Sequence, residues 1–180
     1  MCVATIIDRM LRALSFFVIT SALLTACSPA LNWRETRLDG GLKALLPCKP
    51  DQGSRQMPLA GQAVEMQMVG CEAGGAMFAV AHVKLDDAGR VALSQATWQA
   101  AMLANMQATS PQLENYNPKG AATEPKPVRL TAQGRRADGS AVAAKAAWFS
   151  KGENLYHAVI YADPVKPDMA EPFFSGFEFQ

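Results

Sequence analysis

Histidine is nearly absent from these 180 residues, cysteine is sparse, and charge is almost balanced. Each shortage removes a class of function. Two histidines, His82 and His157, cannot build a zinc centre without further ligands, and no HExxH spacing supplies them. There is no GxSxG, SxxK, Walker or GxGxxG pattern, so neither an activated serine nor a phosphate cradle can be read. The 17 basic side chains nearly match the 16 acidic ones, and the adjacent pair Arg135 and Arg136 is soon followed by Asp138. Nucleic acid, which is held by a one-signed field, is not an expected partner. No catalytic residue, metal or cofactor is expected on these grounds. A spanning helix is not expected either, because it needs roughly 20 apolar residues and the longest such run, 13–24, is too short.

That short run is nonetheless informative. Arg9 and Arg12 precede it and small residues follow, which is the order of an export signal. Met10 would serve as a start equally well. The residues that follow, Leu24, Thr25, Ala26 and Cys27, resemble the lipobox of bacterial lipoproteins. The resemblance implies that residues 1–26 are removed as a signal peptide, that the Cys27 sulfur carries a diacylglycerol, and that its new amino group is acylated. Two or three chains, at about 0.8 kcal/mol per buried CH₂, would hold the protein on a membrane. Ser28, in place of the aspartate that retains Gram-negative lipoproteins in the inner membrane, implies the outer membrane facing the periplasm. Residues 27–32 then form a short lipidated tether. Loss of Asp8, Arg9 and Arg12 with the leader balances the charges of the mature chain.

Cys2 leaves with the leader and lipid consumes Cys27, so Cys48 and Cys71 remain as an even pair in an oxidising compartment. A disulfide between them is expected. A thiol-redox role is not, because a close CxxC at a helix start is missing.

Residues 33–180 read as one domain, since this length encloses one ordinary core. The apolar period is mostly two. Strands are expected at 33–38 and 42–46 around Asp39, Gly40 and Gly41, at 62–71, at 77–85 as a central strand, and at 128–135, 141–150 and 155–162 as a meander. Ser94 is expected to cap one main helix over 95–108, where Trp98, Met102 and Met106 recur every fourth residue. A short helix is expected at 168–175. The proline-rich stretch 109–127 is expected to be a long irregular loop. The sum is an α+β fold: an antiparallel meander sheet packed with one main helix and a short C-terminal one.

Several local phrases resemble the Mog1/PsbP-like fold of small exported proteins. They are Leu46-Pro47-Cys48-Lys49-Pro50, Phe78-Ala79-Val80-Ala81, Asn154-Leu155-Tyr156, and Phe173-Phe174-Ser175-Gly176-Phe177. The resemblance implies an accessory or binding module.

The remaining constellations are read mainly as structure. Met66 and Met68 with Cys71 or His82 would offer soft ligands for copper(I), but methionines on a strand face usually fill core. His82 and Asp86 or Asp87 are too far apart along a strand to act as an acid/base pair. The aromatic terminus, Phe173 to Phe179, is expected in the core. Function is therefore expected to be binding, of a protein, peptidoglycan or lipid partner in the envelope, through the 109–127 loop and one sheet face. The alternative is a periplasmic enzyme using His82 or His157, which would gather a histidine, a carboxylate and a hydroxyl or thiol in one concave pocket.

Overall fold

The structure is a computed structural model, and it describes residues 30–180. The leader, the lipobox and Cys27 lie outside these residues. Twelve elements follow one another: β1 (Arg34–Leu38), β2 (Leu42–Leu46), β3 (Asp51–Leu59), β4 (Gln62–Ala73), β5 (Ala76–Lys84), α1 (Val91–Asn105), β6 (Thr109–Asn115), β7 (Val128–Arg135), β8 (Ala141–Lys151), β9 (Asn154–Ala162), α2 (Pro167–Ser175) and β10 (Glu178–Phe179). Seven strands form one sheet in the order β3-β4-β5-β9-β8-β7-β6, and β1-β2-β10 form a second. The large sheet is antiparallel throughout. It is two meanders, β3-β4-β5 and β6-β7-β8-β9, joined where β5 pairs with β9. The fold is α+β. Among the described residues no helix is long and apolar enough to cross a membrane.

The long central strands divide two apolar cores between their faces. On one face Phe78, Val80, Phe149, Tyr156 and Ile160 pack under the small sheet and α2. The aromatic C-terminus closes this core: Phe173, Phe174, Phe177 and Phe179 are all buried, and Phe149 lies within 6.0 Å of four rings, those of Tyr116, Tyr156, Phe177 and Phe179. On the other face Ala79, Ala81, Trp148, Leu155 and Val159 pack under α1 through Trp98, Met102 and Met106. The same period-two alternation feeds both cores, because a strand buried on both faces is apolar at every position. Cys48 follows β2, Cys71 lies in β4, and they come to disulfide distance with Cα atoms 6.1 Å apart. They tie the small sheet to the large one.

Three expectations are corrected. The helix begins at Val91, not after Ser94; Asp87 instead caps the preceding turn by accepting from the Gly89 N–H at 2.8 Å, and Ser94 is buried inside α1. Residues 51–59, left unassigned above, form the edge strand β3. Most of its side chains are exposed on both faces, so no alternation marked it. The stretch 109–127 is not a free loop. Its first seven residues are edge strand β6, with a register shift at Ser110 and Pro111 that accommodates the missing N–H. Beyond it, Tyr116 packs into the first core and donates to the Phe174 carbonyl at 2.8 Å, and Lys119 pairs with Glu178.

Gly134 of β7 lets the end of α1 meet the sheet. A Cβ there would lie 2.3 Å from the Met106 carbonyl, which accepts from the Arg135 N–H at 2.8 Å. Any side chain at this position would push the helix end away from the sheet.

Candidate functional site

The two histidines point to opposite faces of the sheet. His82 shares the first face with Tyr156, on which it stacks at 4.8 Å. Its Nε2 lies 2.8 Å from Asn154 Oδ1 and its Nδ1 3.4 Å from Gln67 Oε1. Burial lowers its pKa, opposed by the Asn154 hydrogen bond, so the ring is neutral and donates once, from Nε2 to Asn154. The Gln67 amide then satisfies Nδ1 when it presents its NH₂. Tyr156 donates to the Asp39 carbonyl at 2.7 Å. His82 thus sits in a polar cavity of about 500 Å³ with Glu65 and Lys84, and its two contacts are amides. Asp87 is engaged in capping. The arrangement locks β4, β5, β9 and the β1–β2 turn together.

His157 has a different setting. It stacks on Trp148 at 4.5 Å and meets Trp98 of α1 at 5.3 Å. It is only 7% exposed, and its Nε2 reaches no hydrogen-bond partner among the described residues. With no partner to offset burial, its pKa falls to about 3. A buried polar atom without a partner costs about 1–3 kcal/mol, and the indole Nε1 of Trp148, on which His157 stacks, is likewise without one among the described residues.

His157 belongs to the lining of a groove of about 950 Å³ between α1 and the sheet. The register explains the hollow. Met68 pairs with Ala81, and Ala81 with His157, so one row across three strands has a methyl group between two long side chains. In the next row Gly70 pairs with Ala79. The helix rests on larger residues beside these and leaves a trough above the small ones. Met57, Met66, Met68, Met77, Met102 and Met106 line it, six of the chain's nine methionines. Met68 and Met77 are 45% and 40% exposed, although both are apolar. Unbranched thioether side chains adapt to irregular apolar guests.

The copper set considered from sequence is not brought together. Met66 and Met68 face this groove, whereas Cys71 is paired with Cys48 and packs with the first core, and His82 lies on that same opposite face. Among the described residues no group of three or more His, Cys, Asp or Glu side chains is arranged to hold a metal. Sequence reasoning named His157, Met66 and Met68 but not the groove. Its signal was the small pair Ala79 and Ala81 within a run of larger apolar residues, which gains meaning only once the neighbouring strands are in register.

No family model matches the chain, and no curated protein matches it. Among solved structures, it is similar to PA94, a protein of unknown function from Pseudomonas aeruginosa, at 18% identity and a TM-score of 0.35, over 77% of this chain and 86% of that one.

Proposed function

We propose that this protein is a lipid-anchored envelope module, held on the outer membrane through Cys27, that acts by binding a ligand in the groove between α1 and the large sheet. The observation that carries the reading is the methionine-lined trough itself, about 950 Å³, with Met68 and Met77 left 45% and 40% exposed along it. A core that merely fills space would not leave two such apolar side chains half exposed. Within the 109–127 segment, β6 and Tyr116 are part of the framework. Replacing the segment with a short Gly/Ser link is expected to destabilise the fold.

The anchor is tested by Cys27→Ser. The serine variant is expected to lose lipid and to appear as uncut precursor or in the soluble fraction. Normal processing with retention on membranes after a high-salt wash would remove the anchor from the reading. The binding site is tested separately, by heat-denaturation midpoints of the full-length protein with and without envelope extracts. Protection that is lost in Ala81→Phe supports the groove. A turnover abolished by His157→Ala in a folded protein would replace binding by catalysis.

A further inference from the structure

The groove has a defined mouth. The β4–β5 turn, with Gly74 and Gly75, forms one side, and the β7–β8 hairpin, with Arg135, Arg136 and Ala137, forms another. Asn105 and Met106 at the end of α1 lie over it. Arg55 lines the groove from β3. Three guanidinium groups therefore face one lining carboxylate, Glu72. Arg135 and Arg136 direct hydrogen bonds only to the Gly139 and Ala141 carbonyls and the Ser140 hydroxyl, and neither is in a salt bridge among the described residues. In a chain whose charges otherwise cancel, this local excess of positive charge selects an anion.

The N-terminal side of the chain meets the same turn from the opposite face of the sheet. A Cβ built on Gly74 would lie 3.2 Å from both the Leu31 and the Met169 side chains, which pack with the first core, so Leu31 lies at the end of the sheet where the groove opens. Cys27 stands four residues earlier, and four residues span at most about 14 Å whatever their path. An anchor on Cys27 would thus hold the end of the sheet that carries the mouth near the bilayer.

We propose that the groove seats the acyl chain of an anionic membrane lipid, taken from the leaflet in which the protein is anchored, with the lipid headgroup at Arg135 and Arg136. This rests on the anchored binding module proposed above. The tail lies over Ala79 and Ala81 between methionine walls that adapt to its bends. The half-exposed Met68 and Met77 become buried on binding.

The test uses full-length protein purified in mild detergent and lysophosphatidylglycerol bearing a photoactivatable diazirine in its acyl chain, with labelled peptides mapped by mass spectrometry. Labelling is expected to concentrate on the peptides that hold Met68, Ala81 and Met102. Ala81→Phe, which fills the floor, and Met68→Glu, which places a carboxylate at a half-exposed wall position, are each expected to reduce it about tenfold. The second variant keeps the test informative if the first disturbs the sheet. Arg135→Glu with Arg136→Glu is expected to abolish the preference for this probe over the zwitterionic lysophosphatidylcholine analogue. Labelling spread evenly over the surface, or unchanged in Met68→Glu, would overturn the lipid assignment. Absent labelling, together with copper(I) quenching of Trp98 and Trp148 fluorescence, would also overturn it while leaving the groove a binding site. Labelling that persists in Cys27→Ser supports the groove independently of the anchor, whose failure is read from the fractionation of that variant.

Discussion

Reduction of the Cys48–Cys71 pair is expected to lower the thermal midpoint of the protein by about 6–12 °C. The cysteines are 23 residues apart, and closing a loop of that size removes unfolded-state entropy worth about 3 kcal/mol in the chain-entropy model. For a domain of this size each kcal/mol moves the midpoint by about 2–4 °C. The position of the bridge adds a mechanical reason. The small sheet contributes only β1, β2 and the two-residue β10, and a short three-stranded layer has few backbone bonds of its own. Its attachment comes from Leu42, Ala44 and Leu46 packed on the aromatic core, and from Cys48 tied to β4. Calorimetry with and without reductant, and on Cys48→Ala with Cys71→Ala, measures the effect. An unchanged midpoint in a protein isolated without reductant, with two free thiols counted, would show that the bridge does not form in the cell.

The features legible in the sequence were those with large, repeated local signals. Met77 to Leu85 is apolar almost without interruption because β5 is covered on both faces, and it reads as a central strand from composition alone. The meander from β7 to β9 announces itself through Asp138-Gly139 and Lys151-Gly152-Glu153-Asn154 between apolar runs, and the structure pairs these strands as expected. The edge strands carry no such signal. β3 and β6 are held by backbone ladders on one side only, and their side chains are mostly exposed, so neither burial nor period distinguishes them from loop. Ser94 misled for a related reason: a serine before an alanine-rich segment is the expected cap, but Asp87 and the turn 88–90 start the helix earlier.

The candidate site was legible only in pieces. His157 lies within an apolar strand and gives no sign from sequence that its ring nitrogen lacks a partner. That fact depends on Trp148 and Trp98, 9 and 59 residues away, occupying its two faces with indole carbon rather than oxygen. The methionines are likewise scattered from Met57 to Met106 and converge only because β3, β4, β5 and α1 share one face. The mouth combines Gly74, Asn105 and Arg135, three segments with no local relation, and is a product of strand order.

The stability of the domain is expected to fall by about 2 kcal/mol between pH 7.5 and pH 5 through His157 alone. In the unfolded chain this imidazole titrates at its ordinary value of 6.5, whereas burial between two indoles lowers it to about 3 in the fold. As pH drops, the unfolded state takes up the proton first. The contribution is therefore complete above 6.5 and is lost through the window from 6.5 down to about 3. His82 is lowered as well, by its own burial, and acts with the same sign. Glu178, held down to about 2 by Lys119 and Lys43, and Glu114, lowered by Lys145, Thr131 and Arg129 against its burial, lose their stabilising ionised forms only at more acidic pH. Denaturant unfolding at pH 7.5 and pH 5 thus isolates the histidines. His157→Phe keeps an aromatic ring between Trp98 and Trp148 and removes the titrating group, so its loss of stability over that interval is expected to shrink by about 2 kcal/mol relative to the parent. A variant with the parent's full loss would mean that His157 is hydrated or paired in solution.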